Sequence, residues 1–411
     1  MQERKLYPWA VVLLLWFVAL LNYIDRQMLS TMKPSMMVDI AELQTAANFG
    51  RLMAIFLWIY ALMSPVSGII ADRLNRKWLI VASLFIWSAV TLCMGFATTF
   101  GQLYVLRAVM GISEAFYMPA GLSLIADYHQ GKNRSLAIGI HMTGIYLGQA
   151  LGGFGATIAG SFSWHTTFFA FGLVGVIYSL VLILFLREKK AYIINEDPAA
   201  FGKNFRESFK GLKVLLGSLS FWVILFYFSA PSLPGWATKN WLPTLLSANL
   251  NIRMELAGPL STITIALSAL VGVLAGGVLA DRWMSHSMRG RIYTGAIGLA
   301  LTIPAVLLIG FGDNMMAILG GASCFGFGFG MFDVNCMPIL CQFASPRYRA
   351  TGYGLMNLAG ISSGAIITTI LGKSADSGNL SHHIAFLAVF VVLALSLQLL
   401  LLHPKTANKT D

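Results

Sequence analysis

Apolar segments of about 20 residues recur along nearly the whole chain, separated by short polar breaks. At about 1.5 Å rise per residue such a helix covers about 30 Å, the hydrocarbon thickness of a bilayer. In that medium every backbone N–H and C=O must find its partner within the segment or around a closed barrel. A barrel strand would alternate apolar and polar residues over about 10 positions, and no such alternation occurs. The chain therefore reads as an all-α polytopic membrane protein. Its charged share points the same way: 11% of 411 residues, against about 25% in soluble proteins.

Twelve spans are expected, over 8–30, 48–71, 78–97, 101–127, 134–158, 164–186, 219–246, 256–281, 290–310, 314–342, 349–372 and 383–402. The one long polar connection, 187–218, divides them into an N-terminal six-helix half (1–186) and a C-terminal six-helix half (219–411). Within that loop Phe205, Phe209 and Leu212 recur at helical spacing beside Lys203, Arg206, Lys210 and Lys213. Such a segment suits an amphipathic helix on an anionic membrane surface, or a solvated linker. Of the 28 Lys and Arg residues, 21 fall on the side of the termini and the central loop, five fall in the alternate loops, and Arg26 and Arg107 lie inside spans. This bias predicts a multi-pass protein of a bacterial-type cytoplasmic (inner) membrane with both termini in the cytoplasm. The net charge of +11 is scattered over loops without one basic face, so the expected partner is the lipid bilayer and not a nucleic acid.

The sequence gives no footing for enzyme chemistry. It has no phosphate-cradling glycine loop with a Walker-type Lys-Ser/Thr. Cys93, Cys324, Cys336 and Cys341 stand in apolar segments without metal-ligand spacing, as packing residues do. No cofactor and no metal is expected, and the extramembrane segments are too short to fold as a catalytic domain. The first apolar run carries Asp25-Arg26 where a signal peptide would be cleaved, so it reads as a retained span.

Charges inside spans are costly and mark function by default. Asp25 lies roughly 24 Å along a helix beginning at Trp9, still within the hydrocarbon. Arg107 and Glu114, seven residues apart in the fourth span, share a helix face about 10 Å apart along the axis. By depth Asp25 is level with Arg107, and the two are expected to pair, with Glu114 deeper. An internal repeat is also legible. Gly68-Ile-Ile-Ala-Asp72-Arg73 is echoed by Gly277-Val-Leu-Ala-Asp281-Arg282. Glu114-Ala-Phe-Tyr-Met-Pro119 aligns with Asp333-Val-Asn-Cys-Met-Pro338. Two similar six-helix halves with a substrate site at their interface form a known transporter architecture.

Gly68-x-x-Ala-Asp72-Arg73-x-x-Arg76-Lys77, with the twelve spans and the second copy, resembles the cytoplasmic signature of the major facilitator superfamily. The resemblance covers essentially the whole chain and implies that Asp72, Arg73, Arg76, Lys77, Asp281 and Arg282 serve in gating. Asp25-Arg26 together with Arg107 and Glu114 is similar to the anion:cation symporter branch, which includes hexuronate and aldonate carriers. That implies proton-coupled symport of a small organic anion, with sodium as the alternative coupling ion, by an expected monomer. In this reading Arg26 and Arg107 hold the substrate carboxylate in bidentate geometry, while Asp25 and Glu114 carry protons. Removing a carboxyl from water favours its protonated form, which suits Glu114 to that part.

Tyr23, Tyr60, Tyr117, Gln149, Asn335 and Asn357 are further candidates for sugar hydroxyls. Gln149 stands in Gly144-x-x-x-Gly148-Gln149-x-x-Gly152-Gly153, which resembles the fifth-helix motif of drug antiporters with glutamine in place of proline. Small residues at this spacing also make helix-packing surfaces. Asp333 has no intramembrane Lys or Arg in its own half, so it is expected to reach across the interface, with Arg26 as the cation it would meet. His141 could join a proton path. The Pro231-Ser-Leu-Pro234-Gly235 step predicts a kinked seventh span that bends in gating. Two other readings stand beside this one: a spinster-like carrier of lipids or other amphiphiles, and a transporter-shaped receptor or scaffold.

Overall fold

A computed structural model of the chain describes residues 3–71, 74–129, 133–188, 212–345 and 348–404. Asp72 and Arg73 of the signature, and the amphipathic stretch from Lys203 to Lys210, lie outside the described residues. The helices are α1 (Glu3–Asp39), α2 (Ala46–Ala71), α3 (Arg76–Met94), α4 (Phe100–Ala115), α5 (Tyr117–Tyr128), α6 (Arg134–Gly152), α7 (Gly155–Ser161) and α8 (Trp164–Phe185). They continue as α9 (Leu219–Leu250), α10 (Met254–Met284), α11 (Gly290–Phe311), α12 (Met315–Phe343), α13 (Arg349–Asp376), α14 (Leu380–Phe386) and α15 (Ala388–Leu401). Each expected span is thus a helix or a broken pair, and ten of them are long and apolar enough to cross a bilayer. Large side chains such as Leu13, Leu62, Leu184, Leu274 and Leu400 stand exposed on these helices. On a chain of this hydropathy that outer surface meets lipid.

Local chemistry sets where the helices start. Asn75 accepts from Trp78 N ahead of α3, and Ser163 accepts from Thr166 N ahead of α8. Asn314 does the same for Ala317 N at α12. At α4 Thr99 and Gln102 form a reciprocal capping box. Each side chain satisfies an N–H that the helix cannot bond itself. The fourth span breaks at Phe116, where Pro119 has no N–H to offer the Ala115 carbonyl. The equivalent Met337-Pro338 step does not interrupt α12. α9 runs as one helix through Pro231 and Pro234.

Two compact units are present. The first comprises residues 1–194, 239–266 and 364–380; the second comprises 195–238, 267–363 and 381–411. In the first, α6 lies on α1 through a glycine track. A Cβ on Gly144 would come within 2.7 Å of the Trp16 carbonyl oxygen, one on Gly148 within 2.9 Å of Tyr23 Cβ, and one on Gly152 within 2.6 Å of Gln27 Cβ. Backbones this close admit no side chain between them. The same unit closes the far end of α2: Asp376 accepts from Ala46 N at 2.7 Å and Ala47 N at 2.8 Å. Nearby, Trp241 Nε1 donates to the Thr368 carbonyl at 3.1 Å. Core packing in the second unit centres on Tyr227, Phe332, Ile339 and Leu299.

Of the expected gating residues, Arg76 pairs with Asp127, and Lys77 donates through Nζ to the Ile183 carbonyl at 2.8 Å, capping the end of α8. The second unit repeats this cap, for Arg289 donates to the Leu399 carbonyl at the end of α15 at 2.7 Å. Cations suit these carbonyl-rich helix ends. Asp281 pairs with Arg291 at 3.2 Å, and Arg282 is exposed.

Candidate functional site

Asp25 and Arg26 occupy the middle of α1, and Arg107 and Glu114 lie seven residues apart on α4. Arg26 Nε meets Glu114 Oε2 at 2.5 Å. Glu114 is wholly buried, and Asp25 and Arg107 are buried as well. The guanidinium of Arg26 lies over the rings of Tyr60 (4.6 Å to the centroid), Tyr23 (5.0 Å) and Phe56 (5.0 Å). Arg107 lies over the same Phe56 ring at 4.6 Å. Aromatic faces hold a cation where water is scarce.

Asp25 and Arg107, expected to pair, are in charge contact, and each has its hydrogen bond elsewhere. Asp25 accepts from Thr91 Oγ1 at 3.4 Å, and Arg107 Nη1 donates to the Met110 sulfur at 3.2 Å. Arg26 pairs with Glu114. The reason is azimuthal. Adjacent residues on a helix stand about 100° apart, so two groups at one depth can face different neighbours.

Several polar atoms at this site are buried without a hydrogen-bond partner: Arg26 Nη2, Arg107 Nε and Glu114 Oε1. Native structures leave few such atoms, and each calls for an explanation. Two cationic donors and a carboxylate oxygen, all unsatisfied, are what a carboxylate or hydroxyl ligand would complete. Tyr117 is fully buried, and its hydroxyl donates to the Leu15 carbonyl at 2.7 Å. Gln149 is buried on α6.

In the second unit Asn335 donates to the Met331 carbonyl at 2.9 Å, and Asn357 is half-buried on α13. Asp333 is exposed on α12, unlike its counterpart Glu114, and is in charge contact with Tyr227 and Cys336. Three residues at the charged site escaped sequence reading. Asn22 stands one helical turn before Arg26 and lies against Glu114, and that spacing was the available signal. Phe56 and Thr91 look like ordinary span residues, and only the packing reveals them. Among the described residues no cluster of His, Cys, Asp and Glu could hold a metal ion.

The family model described as Major Facilitator Superfamily matches residues 15–369. The hexuronate transporter of Bacillus subtilis (strain 168) is 25% identical over 327 residues, covering 76% of this chain and 74% of that protein. The D-galactonate transporter of Escherichia coli O6:H1 is 25% identical over 419 residues, covering 95% of this chain and 94% of that protein. Among solved structures, a bacterial homolog to the human lysosomal transporter Spinster, inward-facing and unoccupied, gives a TM-score of 0.78 at 21% identity over 96% of each chain. At that identity the likeness shows the fold. The protein is a multi-pass membrane transporter and not an enzyme, and the chain belongs to the Major Facilitator Superfamily.

Proposed function

We propose that this protein is a secondary active transporter that carries a sugar acid, a hexuronate or an aldonate, in symport with protons by alternating access. The observation that carries the reading is the buried Arg26–Glu114 pair beside Arg107, with cationic donors left over on both arginines. When ionised, Asp25, Arg26, Arg107 and Glu114 sum to zero charge. An arriving carboxylate upsets that balance by one negative charge, and a proton on Glu114 restores it. Arg26 then exchanges Glu114 for the substrate, so binding and protonation favour each other, which is coupling in the thermodynamic sense. The sugar acids handled by the two curated relatives are the class this charge pattern suits. Asp25 serves with Glu114 in proton coupling, and Tyr23, Tyr60, Tyr117, Gln149, Asn335 and Asn357 serve sugar hydroxyls. The gate uses Asp72, Arg73, Arg76, Lys77, Asp281 and Arg282. The basic-loop bias supports an inner-membrane setting with both termini cytoplasmic.

The test is a thermal-shift screen of the purified protein against D-glucuronate, D-galactonate, neutral sugars and lysolipids, since a ligand of the folded state raises Tm. Liposome uptake driven by a pH gradient follows for any ligand that shifts it. Stabilisation by a sugar acid with pH-driven uptake supports the reading. Stabilisation by lysolipids alone transfers the protein to the amphiphile carriers.

A further inference from the structure

Two prolines in the first unit interrupt a helix ladder and leave a carbonyl for a side chain to bond. Proline has no N–H to give the carbonyl four residues before it. In α9 Pro243 withholds that bond from the Lys239 carbonyl, and in α10 Pro259 withholds it from the Glu255 carbonyl. Side chains of other helices supply both. Gln27 Nε2 of α1 donates to the Lys239 oxygen at 2.8 Å, and Thr157 Oγ1 of α7 donates to the Glu255 oxygen at 2.9 Å. Each bond joins a helix from the first half of the sequence to the 239–266 stretch of the second half, within one compact unit. The buried Gln27 amide is held in one orientation. Its Nε2 also donates to Ser30 Oγ at 2.8 Å, and that hydroxyl donates back to the Gln27 carbonyl at 2.7 Å. In the same seam the backbones touch, for a Cβ on Gly153 would lie 2.8 Å from the Gly258 carbonyl oxygen. Gln27 follows Arg26 directly in α1.

We propose that Gln27 and Thr157 are positioning residues of the transport cycle. With the carbonyls that Pro243 and Pro259 leave to them, they form a reversible two-point latch that holds the 239–266 stretch on α1 and α7. The inference rests on the alternating-access part of the reading above, and not on the cargo. A carbonyl inside an uninterrupted helix is already bonded by its own ladder. One that precedes a proline by four residues needs a neighbour or water. Such an acceptor can be gripped and released while both helix ladders stay as they are. When the latch parts, both carbonyls need water in place of the side chains. By the alternation of helices and loops, Gln27, Thr157, Lys239 and Glu255 all lie toward the side of the membrane opposite the termini. The latch therefore parts when that side opens to solvent. Because Gln27 adjoins Arg26 on one helical turn, its release frees the turn that carries Arg26 from the 239–266 stretch. Pro243 and Pro259 serve here as makers of acceptors rather than as hinges.

Two double-substitution cycles on the full chain in detergent test it, and neither needs a substrate. The readout is the rate of thiol labelling at Thr31→Cys, with Cys93, Cys324, Cys336 and Cys341 replaced by Ser. Thr31 is wholly buried in the seam, its methyl 3.0 Å from a Cβ built on Gly258. Gln27→Met is expected to speed labelling about fivefold, the population shift that one hydrogen bond is worth. With Pro243→Ala the N–H of residue 243 bonds the Lys239 carbonyl, and the same Gln27→Met change is then expected to alter the rate less than about twofold. Thr157→Val with Pro259→Ala forms the second, independent cycle, and it decides if Pro243→Ala does not fold. A side chain that only fills space would show the same effect with and without the proline. Equal effects in the two backgrounds, or no effect of either Gln27→Met or Thr157→Val, overturn the latch. If wild type carries no sugar acid but labelling follows the prolines as expected, the substrate reading falls and this inference stands.

Discussion

Arg26 Nε and Glu114 Oε2 meet at 2.5 Å, yet each residue keeps one buried atom, Nη2 and Oε1, without a partner. A static ion pair that locks two helices would satisfy its remaining donors and acceptors, because leaving them dry costs about 1–3 kcal/mol each. In the proposed cycle this residual capacity is what lets the pair change partners.

Charge at Arg107 should decide cargo. Arg107→Gln is expected to abolish binding and uptake of a carboxylate substrate, since an amide cannot replace a dry charge-assisted contact. Calorimetry or thermal shift with D-glucuronate and D-galactonate reads this directly. Affinity within threefold of wild type would remove the main support for anionic cargo.

Arg26→Gln should stop transport and also destabilise the fold, because it strands Glu114 in a wholly buried site. Breaking one side of a buried pair costs about 3–5 kcal/mol. Replacing both, as Arg26→Gln with Glu114→Gln, should recover most of the lost Tm without recovering transport. A double variant no more stable than the single one would show that the two residues are not energetically coupled.

Glu114→Gln alone should separate exchange from accumulation. The proposed cycle needs this position both charged and neutral, and glutamine fixes the neutral state. Counterflow is expected to persist while pH-driven accumulation is lost. Equal loss of the two would assign Glu114 a structural part only.

Asp376 holds the first turn of α2 through two backbone N–H groups. Asp376→Ala should lower stability by about 1 kcal/mol, as loss of a helix cap does. It should also loosen the contact around Thr368, which is buried and accepts from Asn240 at 2.8 Å. Faster thiol labelling of Thr368→Cys in the Asp376→Ala background is the readout, and an unchanged rate would restrict Asp376 to local capping.

Much of this was legible in the chain because hydrocarbon imposes simple rules. Span positions follow from length and apolarity, and the intramembrane charges stand out by their cost. What stayed hidden was direction around each helix. Depth ranks Asp25 with Arg107, but the structure joins Arg26 to Glu114. Hydropathy also locates water rather than helix ends. The first span was expected to stop near residue 30, yet α1 continues through Lys33 and Pro34 to Asp39. The break at Phe116 and the unbroken α12 follow the same Met-Pro step, so a local motif alone does not determine whether a helix parts.

The glycine track on α6 has a mechanical consequence. With Gly144, Gly148 and Gly152 pressed on the α1 backbone and on Tyr23 and Gln27, sliding one helix past the other would drive carbonyl oxygens into side chains one step away. The two helices must travel as a single bar that carries Asp25 and Arg26 with it. Parting Arg26 from Glu114 is then a displacement of that whole bar against α4, not a twist of α1 alone. A covalent stitch across α1 and α6 will leave the cycle running, whereas one between α1 and α4 will stall it.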